Sequence, residues 1–197
     1  MSLNASEVEA LGERGYFLRD GFLGAELAAA TRAQAIELGQ AGVLQPAGIR
    51  RGGDRRLDRD IRGDRITWLS QDDARGPLKD VWARFEELMR AVNEGAWLGL
   101  RSFDLQLAHY APGTHYDRHR DAFPGDDNRR LTAIVYLNPE WRPEHGGQLR
   151  LFTPEPVDVE PRADRLVVFL SERLEHEVLT SRADRYAATA WFYSRAR

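Results

Sequence analysis

From Phe103 onward the apolar residues of this chain stop recurring at helical spacing and begin to alternate, in short runs broken by Gly, Pro and Asp clusters. The runs are 103–110, 131–137, 148–153, 165–170, 176–180 and 185–194. Strict alternation sends every second side chain to one face, a pattern that a sheet can bury and a helix cannot. Runs this short and this closely spaced predict a β-sandwich or jelly roll. The N-terminal part reads differently. Residues 6–13 predict a short helix, Gly15 onward a strand leading into a turn, and 23–39 an alanine-rich helix. Leu78, Val81, Trp82, Phe85, Leu88, Met89 and Val92 recur at three- and four-residue steps, which predicts an amphipathic helix over 78–92. Residues 45–65 carry many charges and little apolar periodicity, which predicts a long exposed loop of the functional or disordered kind. At 197 residues a single α+β domain with a good core is expected over 1–197. About 1–100 would be helical support bearing the 45–65 loop, and about 101–195 the β-core.

The β-core also holds the residues that can do chemistry. The chain has no cysteine, so disulfides and thiolate catalysis are excluded, and any metal must sit on His, Asp or Glu. Two overlapping pairs are available, His115-Tyr-Asp117 and His119-Arg-Asp121. Residues two apart on a strand face the same way, so geometry alone allows either pair to ligate. His176 opens a later strand. A His-x-Asp pair and one distant histidine can supply a 2-His-1-carboxylate face to Fe(II), leaving positions open for a co-substrate and O2. His109 and His145 are left over, and His145 sits in a Pro-Glu-His-Gly-Gly turn.

Arg185, Ala187, Thr189 and Trp191 alternate along one strand and so share a face. An inward guanidinium needs a carboxylate partner. The far carboxylate of 2-oxoglutarate supplies one in bidentate geometry. Thr132, Ile134 and Tyr136 share a face in the same way, and the Tyr136 hydroxyl can donate to that carboxylate. The pattern therefore predicts an Fe(II)- and 2-oxoglutarate-dependent oxygenase. A formal net charge of −3 argues against bulk electrostatic binding of nucleic acid. Residues 50–65 hold seven arginines, but four aspartates interleave with them, a mixed-charge loop and not a phosphate-binding stripe. No apolar run is long enough to span a bilayer, and no apolar stretch of secretory type follows Met1, so a cytoplasmic protein is expected.

Tyr110-Ala-Pro-Gly113 followed by Tyr116-x-x-His119-x-Asp121 resembles the iron-binding run of prolyl-hydroxylase-type oxygenases, which selects His119 and Asp121 over His115 and Asp117. The similarity is closer still along Asp60-Ile-Arg62-Gly-Asp64-Arg-Ile-Thr-Trp68, Tyr136-Leu-Asn-Pro-Glu-Trp141, Gly146-Gly-Gln-Leu149-Arg-Leu-Phe152, His176-Glu-Val178 and Arg185-Tyr-Ala-Ala-Thr189-Ala-Trp191. From about Gly15 to Tyr193 the chain resembles the catalytic domain of the hypoxia-inducible-factor prolyl hydroxylases.

The resemblance implies a double-stranded β-helix, jelly-roll or cupin-like, with N-terminal helices packed against it. It implies Fe(II) on His119, Asp121 and His176, and 2-oxoglutarate on Arg185 and Tyr136. Tyr110, Ile134, Leu149, Val178, Thr189 and Trp191 would line the pocket. Arg62 would lie on a loop over the peptide substrate, and Asp64 would pair with Arg129. The implied reaction converts 2-oxoglutarate and O2 to succinate and CO2 while hydroxylating a prolyl residue of a protein to 4-hydroxyproline. Ascorbate as a further cofactor, oxygen sensing and a monomeric state are also expected. A translation elongation factor is the favoured substrate. Where the human enzymes carry an apolar methionine, Gln106 stands here. Two other readings fit the sequence less well. A nucleic-acid dealkylating oxygenase would carry a second arginine where Trp191 stands, and a non-enzymatic cupin-like binding module would not need Asp121, Arg185 and Tyr136 together. The 45–65 loop is expected to be mobile and to close over a bound peptide.

Overall fold

The computed structural model describes residues 1–48, 58, 60–72, 74–122 and 128–195. The alternating runs assemble into two antiparallel sheets. In the numbering used here, which follows chain order, the larger runs β1 (Tyr16–Asp20), β9 (Arg165–Leu170), β6 (Arg129–Tyr136), β11 (Arg185–Tyr193), β4 (Ser102–Tyr110), β3 (Arg65–Leu69), β2 (Gln45–Pro46). The smaller runs β5 (Tyr116–His119), β10 (His176–Val178), β7 (Leu149–Leu151), β8 (Val157–Val159). Chain neighbours are seldom sheet neighbours: β11 sits between β6 and β4, and β10 between β5 and β7. This is the double-stranded β-helix expected.

Alternation decides which residues meet which layer. In β11 every residue is buried, because both faces of the strand are covered. Ala188, Ala190 and Phe192 join Leu105, Leu107, Leu131 and Val135 on the face that the helices cover. Ala187 joins Ala108, Tyr110, Ile134, Tyr136 and Phe169 on the opposite face, against the small sheet. That second face is where the polar residues of interest also point.

Three helices form the outer layer. In α1 (Ala5–Glu13) the Asn4 side chain accepts from the Glu7 backbone N–H while the Glu7 carboxylate accepts from the Asn4 N–H, so each satisfies an end group of the other. α2 (Ala25–Gln40) packs through Ala28, Thr31 and Ala35. α3 (Pro77–Ala96) buries Leu78, Val81, Phe85, Leu88, Ala91 and Val92, the stripe expected, and runs one turn beyond Val92 before Trp97 turns left-handed at φ 57°. Phe85 lies between Phe22, Phe103 and Phe192, with ring centroids 5.4, 6.4 and 6.4 Å away. No helix among the described residues is long and apolar enough to cross a membrane.

The expectation for 45–65 needs correction at its ends. Gln45–Pro46 pairs with β3, and the 61–63 segment hydrogen-bonds to β5, so these parts are built into the sheets. Residues 49–57 and 59, on which the expected lid mainly falls, lie outside the described residues.

Candidate active site

His119 and His176 are brought together by backbone pairing. They face each other across the β5–β10 ladder, with ring centroids 4.2 Å apart. Asp121 is placed differently. β5 ends at His119, and Asp121 lies in the bend that follows, not on the strand assumed for the whole pair. Its carboxylate nevertheless reaches both imidazoles, 3.9 Å from His119 Nε2 and 3.8 Å from His176 Nε2. The three ligand atoms lie within 4.8 Å of one another, the one such triad of His, Asp and Glu among the described residues. His115 and Asp117 stay outside it. His115 turns to the Asp60 carbonyl at 3.0 Å and to Asp117 at 3.2 Å, both half-exposed or exposed.

The protonation of the triad suits a cation. Burial and the neighbouring His176 push the His119 imidazole down to about 3, against the pull of Asp121. Burial lowers His176 as well, opposed by the Asp121 carboxylate and the Leu174 backbone. Burial would raise the Asp121 carboxyl, yet His176, His119, Arg129 and Thr132 together hold it at about 2. At neutral pH two imidazole lone pairs and one carboxylate therefore face a common point, the donor set of a non-haem Fe(II) site. The His119 Nδ1 contacts the Asp117 carbonyl at 2.7 Å, which fixes the ring and leaves Nε2 for the ion.

A second group of residues lies on the concave face of the large sheet. Arg185 is 2% exposed, and its one hydrogen bond among the described residues runs from Nε to the Gly147 carbonyl at 2.8 Å. No carboxylate among those residues forms an ion pair with it; the adjacent Asp184 is taken by His109 at 2.7 Å. The guanidinium instead lies over the rings of Tyr110 and Tyr136, 4.9 and 5.0 Å from their centroids. The Tyr136 hydroxyl is fully buried with no hydrogen-bond partner among the described residues, and burial pushes it up to about 12 despite Arg185. A buried cation with no carboxylate partner and a buried phenol with no acceptor, both judged among the described residues, fit a carboxylate ligand. Gly147 allows the close approach, since a Cβ there would lie 3.1 Å from the Arg185 Cδ and its φ is 65°.

The rest of the expected lining falls on this face or opposite it. Tyr110, Ile134, Thr189 and Trp191 share the face with Arg185 through the registered pairs Arg185↔Tyr110, Thr189↔Ile134 and Trp191↔Thr132. Leu149 and Val178 pair with each other in the small sheet. Gln106 pairs with Thr189, is 3% exposed, and carries a buried side-chain oxygen without a partner. His145 accepts from the Arg142 N–H within its turn.

One expected pairing is corrected. Arg62, not Arg129, takes the Asp64 carboxylate, in two bonds of 2.6 and 2.9 Å. Two residues apart in extended chain, Arg62 and Asp64 project to the same side, so the local pair forms with little chain ordering. Arg129 donates instead to the Asp121 main-chain oxygen at 2.6 Å and to the Tyr193 hydroxyl at 3.3 Å. Arg62 also lies 4.6 Å over the Tyr116 ring, which in turn stacks on His119 at 3.7 Å. Alternation along β6 made the inward direction of Thr132 legible, but not its 2.7 Å bond to Asp121.

Comparison with known proteins agrees with this chemistry. The model for the 2OG-Fe(II) oxygenase superfamily matches residues 105–193. Human prolyl hydroxylase EGLN3 is 36% identical over 201 residues, spanning 94% of this chain and 81% of that protein. The crystal structure of a Pseudomonas putida prolyl-4-hydroxylase superposes with a TM-score of 0.86 at 38% identity, covering 98% of this chain and 99% of that one. A Trichoplax adhaerens prolyl hydroxylase, solved with a hypoxia inducible factor oxygen degradation domain peptide fragment, gives 0.87 at 31% identity over 95% of this chain and 87% of that one. Proteins of the superfamily require Fe(II), 2-oxoglutarate and O2, and the triad found here is able to hold the iron. By sequence over nearly its whole length, and by fold, the chain belongs to the prolyl hydroxylase family of 2-oxoglutarate- and Fe(II)-dependent oxygenases.

Proposed function

We propose that this enzyme hydroxylates C4 of a prolyl residue in a protein substrate, consuming 2-oxoglutarate and O2 and releasing succinate and CO2. The observation that carries the reading is Arg185, a buried guanidinium with no carboxylate partner among the described residues, on the face of the large sheet turned toward the small sheet and the His119, Asp121 and His176 triad. In this reading His119, Asp121 and His176 hold Fe(II), and Arg185 with Tyr136 anchors the far carboxylate of 2-oxoglutarate. When bound, the iron and co-substrate supply the oxidative chemistry; the protein supplies placement and a dry site. Tyr110, Ile134, Leu149, Val178, Thr189 and Trp191 wall the pocket, and their burial keeps water from the charge pair on Arg185. The ionised Asp121 and neutral imidazoles need lose no proton to accept the metal.

For the substrate, the proposal is a prolyl-bearing segment of a cytoplasmic protein, with a translation elongation factor the first candidate and Arg62, Asp64 and Arg129 at the rim. The Trichoplax neighbour, solved with a peptide fragment, supports a protein substrate. The test compares the host proteome with and without the gene by mass spectrometry, and repeats the assay with purified enzyme, Fe(II), 2-oxoglutarate and ascorbate. One proline that gains an oxygen only when the gene is present is the expected result. Turnover of 2-oxoglutarate with oxygen found on a nucleobase or a small molecule, and on no proline, would overturn it.

A further inference from the structure

The three residues of the triad are not held in the same way. His119 and His176 sit opposite each other on paired strands, where the ladder itself fixes their backbones. Asp121 lies beyond the end of β5, so no ladder holds it. What holds it is side chains. The Thr132 hydroxyl donates to Asp121 Oδ2 at 2.7 Å, and Thr132 Oγ1 lies 2.9 Å from the Ser171 hydroxyl. Since an ionised carboxylate only accepts, the single Thr132 proton goes to Asp121, and Ser171 must donate to Thr132. The chain of donors is thus directed, Ser171 to Thr132 to Asp121. Thr132 is 1% exposed and Ser171 0%, so water does not compete for these bonds. From the other side, Arg129 grips the Asp121 main-chain oxygen.

We propose that Thr132, oriented by Ser171, is the positioning residue that gives Asp121 the fixed carboxylate geometry which strand pairing gives the two histidines. The proposal rests on the reading of His119, Asp121 and His176 as the metal site. Thr132 stands on β6 opposite Phe169, and Ser171 directly follows the end of β9, two residues beyond Phe169. Phe169 in turn lies against His176, ring centroids 4.7 Å apart. One end of β9 therefore braces two of the three ligands, His176 by ring contact and Asp121 through the hydroxyl pair.

The test is a titration of the metal-free enzyme with Co(II), followed by calorimetry and by the visible bands of the bound ion. Thr132→Val keeps the shape and removes the donor, and should weaken Co(II) binding by about 10–100-fold, the range for lost outer partners of metal ligands. Thr132→Ser, which keeps the hydroxyl, should restore most of the affinity. Ser171→Ala should weaken binding less and shift the visible bands in the same direction as Thr132→Val. Thermal unfolding of the metal-free variants separates this from a packing role. A lowered midpoint with wild-type Co(II) affinity and unchanged bands in both Thr132→Val and Ser171→Ala would overturn the proposal. Failure of the wild-type enzyme to bind Co(II) would overturn the metal-site reading beneath it, a distinct result.

Discussion

Arg185 is the side chain whose surroundings most constrain the chemistry of the site. Its guanidinium is buried against two tyrosine rings and a main-chain carbonyl, with no anion among the described residues. If it anchors the far carboxylate of 2-oxoglutarate as proposed, removing it deletes a buried charge partner, an effect on the order of 3–5 kcal/mol. Arg185→Ala should accordingly raise the 2-oxoglutarate concentration for half-maximal succinate release by two orders of magnitude or more, about tenfold for each 1.4 kcal/mol. Tyr136→Phe loses one bond to a charged acceptor, about 1.5–3 kcal/mol, and should be milder. An unchanged Arg185→Ala titration would rule out this anchor. His119 sets a different expectation. It titrates at about 3 in the folded chain against an ordinary 6.5, so between those values the unfolded chain binds a proton that the folded one refuses. Stability of the metal-free protein should therefore fall as pH drops through that window, by about 1.4 kcal/mol per unit for this group. The Asp121 contribution, present above 3.8, is lost only as pH approaches about 2. Chemical denaturation across about pH 6 to 4 should give a shallower slope for His119→Gln than for the parent; equal slopes would mean that His119 is not the group refusing the proton.

Among the elements, β5 and the segment beside it repay attention. The Gly63 N–H donates to the His115 carbonyl at 3.0 Å and the Asp117 N–H to the Ile61 carbonyl at 2.9 Å, covering what would otherwise be an open edge of the small sheet. A Cβ on Gly63 would lie 2.8 Å from the Thr114 Cβ, so the approach depends on glycine. Asp64 is fully buried and ion-paired to Arg62. Asp64→Ala leaves that guanidinium without its carboxylate, and should cost about 3–5 kcal/mol of stability, readable as a lowered denaturation midpoint. A loss below about 1 kcal/mol would mean that the pair is no better than a surface one. The overlapping His-x-Asp pairs around this strand give a direct test of the proposed ligands. His119→Ala and Asp121→Ala should abolish Fe(II) binding, whereas His115→Ala and Asp117→Ala should keep most of it; loss in Asp117→Ala with retention in Asp121→Ala would reverse the assignment. Much of this was legible in the sequence. The long strands announced themselves because β4, β6 and β11 carry apolar residues on alternate positions facing the helices, such as Leu105 and Leu107, Leu131, Ala133 and Val135, and Ala188, Ala190 and Phe192. β5 and β8 did not, since Tyr-Asp-Arg-His and Val-Asp-Val are too short and too polar for a period to emerge. Residue type and spacing brought forward His176, Arg185 and two competing His-x-Asp pairs, and the family resemblance selected His119 and Asp121. The partners of Arg129 and Thr132 were not, because they are set by where distant strands meet, and the Asp64 partner was misassigned because a short-range ion pair competed with a long-range one.

On the scale of the molecule, the large sheet separates two jobs. Its convex face and three helices make the main core, and its concave face carries the polar site. Damage to one side should leave the other intact. Phe85 is fully buried in the helical layer, and Phe85→Ala should cost about 3–5 kcal/mol. For a chain of this size each kcal/mol lowers the melting temperature by about 2–4 °C. Co(II) affinity measured well below that melting point should stay within about threefold of wild type, since mutations without shared partners act independently; a parallel collapse of metal affinity would show that the layers are coupled.

The pairing of His176 with His119 across one rung of the small sheet has a further consequence for how the chain finds its fold. If β10 slid by a single residue against β5, Glu177 would stand where His176 stands, and the imidazole would turn to the opposite side. An ion that needs both rings can bind only the correctly aligned ladder, so its binding energy favours that alignment over the neighbouring ones by mass action. In a chain without cysteines, a metal bound by both rings would act as the proofreader of strand alignment, and metal-free protein is where misaligned ladders should accumulate.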